Sequence, residues 1–112
     1  METNEVEIGK AFVVVDIIEY VPNSVVSKTI INKTTGKVTA VSYDSSEALI
    51  EKIIPFDTFI QIIDGNAEFV IDGISNFLVA GNSIIIPAHT SNRIRPNQHF
   101  KMISTIIKSG YE

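Results

Sequence analysis

From Lys28 onward, short runs of β-branched and aromatic residues alternate with polar, turn-forming breaks: Asn32-Lys33-Thr34-Thr35-Gly36, Asp64-Gly65, Asp72-Gly73, Ala80-Gly81-Asn82 and Pro96-Asn97. No run keeps a 3.6-residue apolar period for long, so strands fit it better than helices. The pattern predicts strands near 27–33, 37–44, 56–63, 66–71, 74–79, 83–86, 91–95 and 99–108. A single helical turn fits Ser46 to Lys52. Many short strands at close spacing, separated by Gly, Pro, Asn and Asp, indicate an all-β sandwich or barrel.

The first 26 residues follow a different pattern. Phe12-Val-Val-Val-Asp-Ile-Ile18 carries too much apolar surface for a loose tail, and Tyr20-Val-Pro22-Asn-Ser24 breaks the chain before the strands begin. The expected organisation is a leading segment over 1–26 followed by one barrel over 27–112. No internal repeat or low-complexity linker divides the chain further.

With 112 residues the chain is long enough for one self-sufficient core. The absence of cysteine excludes disulfides, thiolate zinc sites and cysteine nucleophiles. The net charge of -4, with Arg93 and Arg95 as the only arginines, argues against nucleic acid as a partner, because phosphate binding needs several cations on one face. Met1-Glu-Thr-Asn-Glu-Val-Glu7 is acidic where a signal peptide is basic, and no apolar run reaches membrane-spanning length. These features lead to the expectation of a cytoplasmic protein with no membrane partner.

Gly81-Asn-Ser-Ile-Ile-Ile-Pro87-Ala-His89-Thr-Ser-Asn92 has the spacing Gly-x5-Pro-x-Gly-x2-His, with His89 at the second glycine and Asn92 at the histidine. Ile54-Pro55-Phe56-Asp57 and the Asp64-Gly65 step precede it at matching intervals. Over roughly 28–108 the chain thereby resembles a small single-domain cupin of the RmlC-like superfamily. The resemblance implies an all-β, cupin-type jelly-roll β-barrel with a short N-terminal extension. In such proteins the extension packs on the barrel or against a second subunit, which implies a homodimer. The first cupin motif, His-x-His-x3-Glu, falls on Lys52, Ile54 and Thr58. All four metal-ligand positions are thus occupied by Lys52, Ile54, Thr58 and Asn92, so the resemblance implies the frame of a metal site with neither metal nor other cofactor.

No catalytic residue is assigned from the sequence. Nucleophile elbows, phosphate loops and dinucleotide-binding glycine motifs are absent. A metal site from His89, Asp57 and Asn92 is conceivable, but a lone loop histidine is more often a hydrogen-bonded surface residue. The candidate ligand-binding set is Lys52, Ile54, Asp57, Thr58 and Asn92 around the vacated site, with Tyr43, Gln61 and Met102 on strands that could face inward. Lys52 reads either as an anion-binding or Schiff-base lysine, with Asp57 as its nearest partner in sequence, or as a lysine whose stem lines the mouth while its head reaches water. Thr58 and Asn92 read either as polar contacts for a small ligand or as groups satisfied inside a filled barrel. The expected function is binding of a small polar or anionic molecule by a metal-free barrel. One alternative is a cupin enzyme of isomerase, lyase or dioxygenase type with an unorthodox or absent metal centre. The other is a stand-alone relative of the sensor domains of transcription regulators.

Overall fold

The computed structural model describes residues 6–44 and 51–110, apart from the side chains of 96–98. Seven strands form: β1 (Val25–Lys33), β2 (Gly36–Tyr43), β3 (Lys52–Ile54), β4 (Asp57–Ile71), β5 (Ile74–Val79), β6 (Ser83–Ile86) and β7 (Thr90–Ile107). All pairings are antiparallel, in the order β1-β2-β7-β4-β5, with β3 on β7 and β6 on β4. The helical turn expected within Ser46 to Lys52 falls largely on 45–50, outside the described residues, and Lys52 itself opens β3.

Two long strands curl the sheet into a jelly-roll barrel. The first half of β4 pairs with β6 (Thr58↔Ile86) and its second half with β5 (Ala67↔Leu78). Likewise β7 pairs with β3 near its start (Asn92↔Lys52) and with β2 near its end (Met102↔Val41). Neither the Asp64-Gly65 nor the Pro96-Asn97 signal ends a strand, contrary to the sequence expectation. Their turn chemistry serves a bulge instead: the β4–β7 register slips between Ile62 and Asp64, opposite Met102 and Lys101, and again between Gly65 and Ala67, opposite the stretch from Pro96 to Phe100. Gly65 adopts φ +74 there, and a Cβ on it would lie 2.3 Å from the His99 carbonyl oxygen. Only glycine allows that approach.

Alternation along the strands sorts apolar side chains to the two faces of the curled sheet. Inside, Phe69 and Phe100 are fully buried; Phe100 stacks on Tyr43 at 4.4 Å and meets Phe69 edge-on at 6.4 Å. Outside, Ala40 and Ile103 are covered by Ile18 of the leading segment, with Val14 and Ile17 packed alongside. That segment makes one 3₁₀ turn, Val14–Asp16. Lys28 Nζ donates to the Ile17 carbonyl at 2.9 Å and Lys101 Nζ to that of Val15 at 2.8 Å. Ser42 Oγ donates to the Glu19 carbonyl at 2.9 Å. Phe12 and Val13 stay exposed, so the apolar surface of the leading segment is only partly covered by the barrel. Among the described residues no helix is long and apolar enough to cross a membrane.

Candidate functional site

The barrel encloses a cavity of about 320 Å³ open at one mouth, walled by residues of β1, β2, β3, β4, β6 and β7. Its position follows from strand parity. On β4, Thr58 and Ile60 point inward while Asp57, Phe59 and Gln61 point out, and on β3 Lys52 and Ile54 line the cavity while Ile53 is exposed. The floor is apolar: Ile60, Phe69, Ile86, Ile94 and Met102 are all buried and all on the wall.

The four vacated ligand positions meet here. Lys52 and Ile54 on β3, Thr58 on the adjoining β4 and Asn92 on the distant β7 all line the one cavity. Lys52 and Asn92 are direct partners across the β3–β7 ladder. Thr58 is 2% exposed and donates weakly to the Phe56 carbonyl at 3.4 Å; Asn92 is 5% exposed and donates to the Lys52 carbonyl at 3.4 Å. Single long bonds leave both groups with spare hydrogen-bonding capacity, since an amide offers two donors and an acceptor and a hydroxyl can both give and receive. The donor set does not suit a transition metal. A neutral hydroxyl, an amide, an alkyl group and an ammonium stand where imidazoles and a carboxylate would be needed. Among the described residues no three His, Cys, Asp or Glu side chains gather.

Tyr43 and Met102 also line the cavity. Burial pushes the Tyr43 phenol up to about 12, because the phenolate would lose its solvation. The remaining two candidates do not line it. Asp57 lies outside, where its carboxylate accepts the Ala88 N–H at 2.8 Å and holds the loop before β7. Gln61 is exposed on the outer face of β4, three residues from the inward Thr58 and hence of opposite parity. Lys52 is exposed rather than buried beside Asp57.

The histidines stand elsewhere. His89 is exposed at φ +63 and its backbone N–H donates to the Ile54 carbonyl at 2.7 Å. The His99 ring lies 4.1 Å from that of Tyr20, tilted by 31°, with Nδ1 3.8 Å from the Asp44 carboxylate. Tyr20 donates to Asp64 at 2.6 Å; burial first, then that bond and the Asp64 and Asp44 charges, raise its pKa well above the phenol range. This cluster ties the leading segment to the barrel and takes no part in the cavity. Arg95 pairs with Glu68 at 3.7 Å on the outer face of β7.

Lys37, Thr39, Val41, Ser104 and Ile106 complete the wall, and the sequence reading passed over them. A signal was there. Lys37, Thr39 and Val41 are in phase with the inward Tyr43 on β2, and Ser104 and Ile106 with Met102 on β7.

The fold is the cupin fold. A cupin superfamily protein from Desulfitobacterium hafniense superposes with a TM-score of 0.87 at 21% identity, covering 97% of this chain and 100% of that one. A conserved protein of unknown function from Streptococcus pyogenes gives 0.88 at 21% identity over 96% and 94% of the two chains. An RmlC-like cupin from Shewanella frigidimarina gives 0.72 at 14% identity over 83% and 84%. Neither a protein-family model nor a curated protein sequence matches the chain.

Proposed function

We propose that this protein binds a small molecule inside the barrel, without a transition metal. The observation that supports this most directly is the cavity of about 320 Å³, apolar at its floor, with Thr58, Asn92, Tyr43 and Ser104 on its wall. Cavities of this volume and make-up, largely apolar with a few placed polar groups, are the usual form of small-ligand sites. A barrel built only for stability would fill this space, since close packing is the ordinary state of a protein core.

The test is a thermal-shift screen of small metabolites against the wild type and Ser104→Trp. Ser104 is half-buried on the wall, so the indole occupies the cavity. A ligand at one hundred times its Kd stabilises by about 2.7 kcal/mol, or roughly 10 °C for a domain of this size. Hits should shift the wild type and leave Ser104→Trp unmoved. Hits that shift both proteins equally bind elsewhere and defeat the proposal.

A further inference from the structure

Resting on the reading of the barrel as a binding site, we propose that its ligand is a monocarboxylate with a compact apolar body. Its carboxylate would sit at the mouth between Lys37 and Lys52, and its apolar end on the floor.

The first argument is charge. The chain as a whole carries a net charge of -4, yet the charged side chains on the cavity wall are two lysines, with no Asp or Glu among the described residues that line it. Asp57, the acid nearest Lys52 in the frame, faces the other side of β4 and holds the Ala88 N–H. Neither lysine is in an ion pair among the described residues. Local charge opposite in sign to that of the molecule attracts an anion to this one opening.

The second argument is the gradient from mouth to floor. Lys52 is exposed and Lys37 half-buried, whereas Ile60, Phe69 and Met102 are at most 5% exposed. Ammonium groups are therefore confined to the rim and apolar surface to the interior. A dianion, or a sugar with hydroxyls all round, would bury polar groups against Phe69, Ile60 and Met102 without partners, which is costly. A single carboxylate on an apolar body leaves only its charged end in the wet zone. Thr58 and Asn92, between the two zones, can take the second carboxylate oxygen or one substituent on the body.

Size completes the class. At the roughly 30 Å³ that a molecule of liquid water occupies, the cavity holds a ligand of roughly ten non-hydrogen atoms. A phenylalkanoate or medium-chain alkanoate fits that description.

Calorimetric titration with phenylpropionate, its amide and the corresponding phenylpropylamine separates this inference from the reading it rests on. The acid should bind at least tenfold tighter than the amide, and the amine more weakly than either. That preference should shrink between about 0.05 M and 0.5 M NaCl, as screening of exposed charges requires. In the Lys37→Met/Lys52→Met double variant, the acid should lose its preference and bind no tighter than the amide. If the amide matches the acid in the wild type, and Ser104→Trp abolishes both, the cavity is a binding site but the carboxylate inference is wrong. An acid preference that survives the double variant also refutes it. If none of the three probes binds, the carboxylate inference fails and the metabolite screen decides the proposed function; if Ser104→Trp leaves binding intact, both fail.

Discussion

Gly65→Ala tests the close crossing of β4 and β7 that shapes the barrel. Two costs add. The residue holds φ +74, and an L side chain in that region costs about 1–2 kcal/mol. A new Cβ would also lie 2.3 Å from the His99 carbonyl oxygen and 2.9 Å from the Phe100 Cα, both backbone atoms that no rotamer change can move. Relief requires β7 to shift where Phe100 is fully buried and stacked on Tyr43, and overpacking of this kind adds about 1–3 kcal/mol or more. The total is about 2–5 kcal/mol. Gly73→Ala isolates the first cost, because Gly73 has φ +80 but nothing within 4 Å of its would-be Cβ. At roughly 4 °C per kcal/mol for a domain of this size, Tm should fall by about 8–20 °C for Gly65→Ala and by about 4–8 °C for Gly73→Ala. Scanning calorimetry, supported by urea unfolding to check that the m-value holds, measures both. Equal losses within about 0.5 kcal/mol would show that the crossing is looser than described and that only the backbone angle matters.

Two further predictions concern the cavity. The combined variant Lys52→His/Ile54→His/Thr58→Glu/Asn92→His places metal donors at four positions that share one wall. It should be less stable than wild type without metal, since position 58 is 2% exposed and would hold a carboxylate, and should regain about 2.7 kcal/mol at one hundred times the Kd for Ni, Mn or Zn. A folded variant whose melting ignores all three metals would place the four positions wrongly. The second prediction concerns Tyr43, whose pKa is about 12 in the folded protein against about 10 unfolded. Above pH 10 the unfolded chain releases this proton while the folded one keeps it, so stability falls as pH rises, by roughly 2 kcal/mol from this residue by pH 12. The urea midpoint of Tyr43→Phe should decline less than that of the wild type between pH 9 and pH 11. Parallel declines in the two proteins would contradict burial of the phenol.

Strand content, the approximate ends of most strands and the Gly81-to-Asn92 frame were legible in the sequence, because period-two alternation and turn residues are local signals. The same alternation could have excluded Gln61, which cannot share a face with Thr58 on one strand, and could have added Lys37 and Ser104 through Tyr43 and Met102. What local signals do not encode is which of several uses a turn residue will have. Asp64-Gly65 carries the chemistry of a hairpin, yet β4 runs through it, because Phe100 on β7 packs so close that the glycine is needed for approach instead of reversal. Whether the barrel is filled or hollow was likewise beyond the sequence. That depends on how wall residues from several strands meet, and Asp57 shows the point: beside Lys52 in the motif, it faces away and binds Ala88, leaving the mouth to two lysines, one of them brought from β2. The sign of the charge at that opening is a property of the closed sheet, decided only when the strands are brought together.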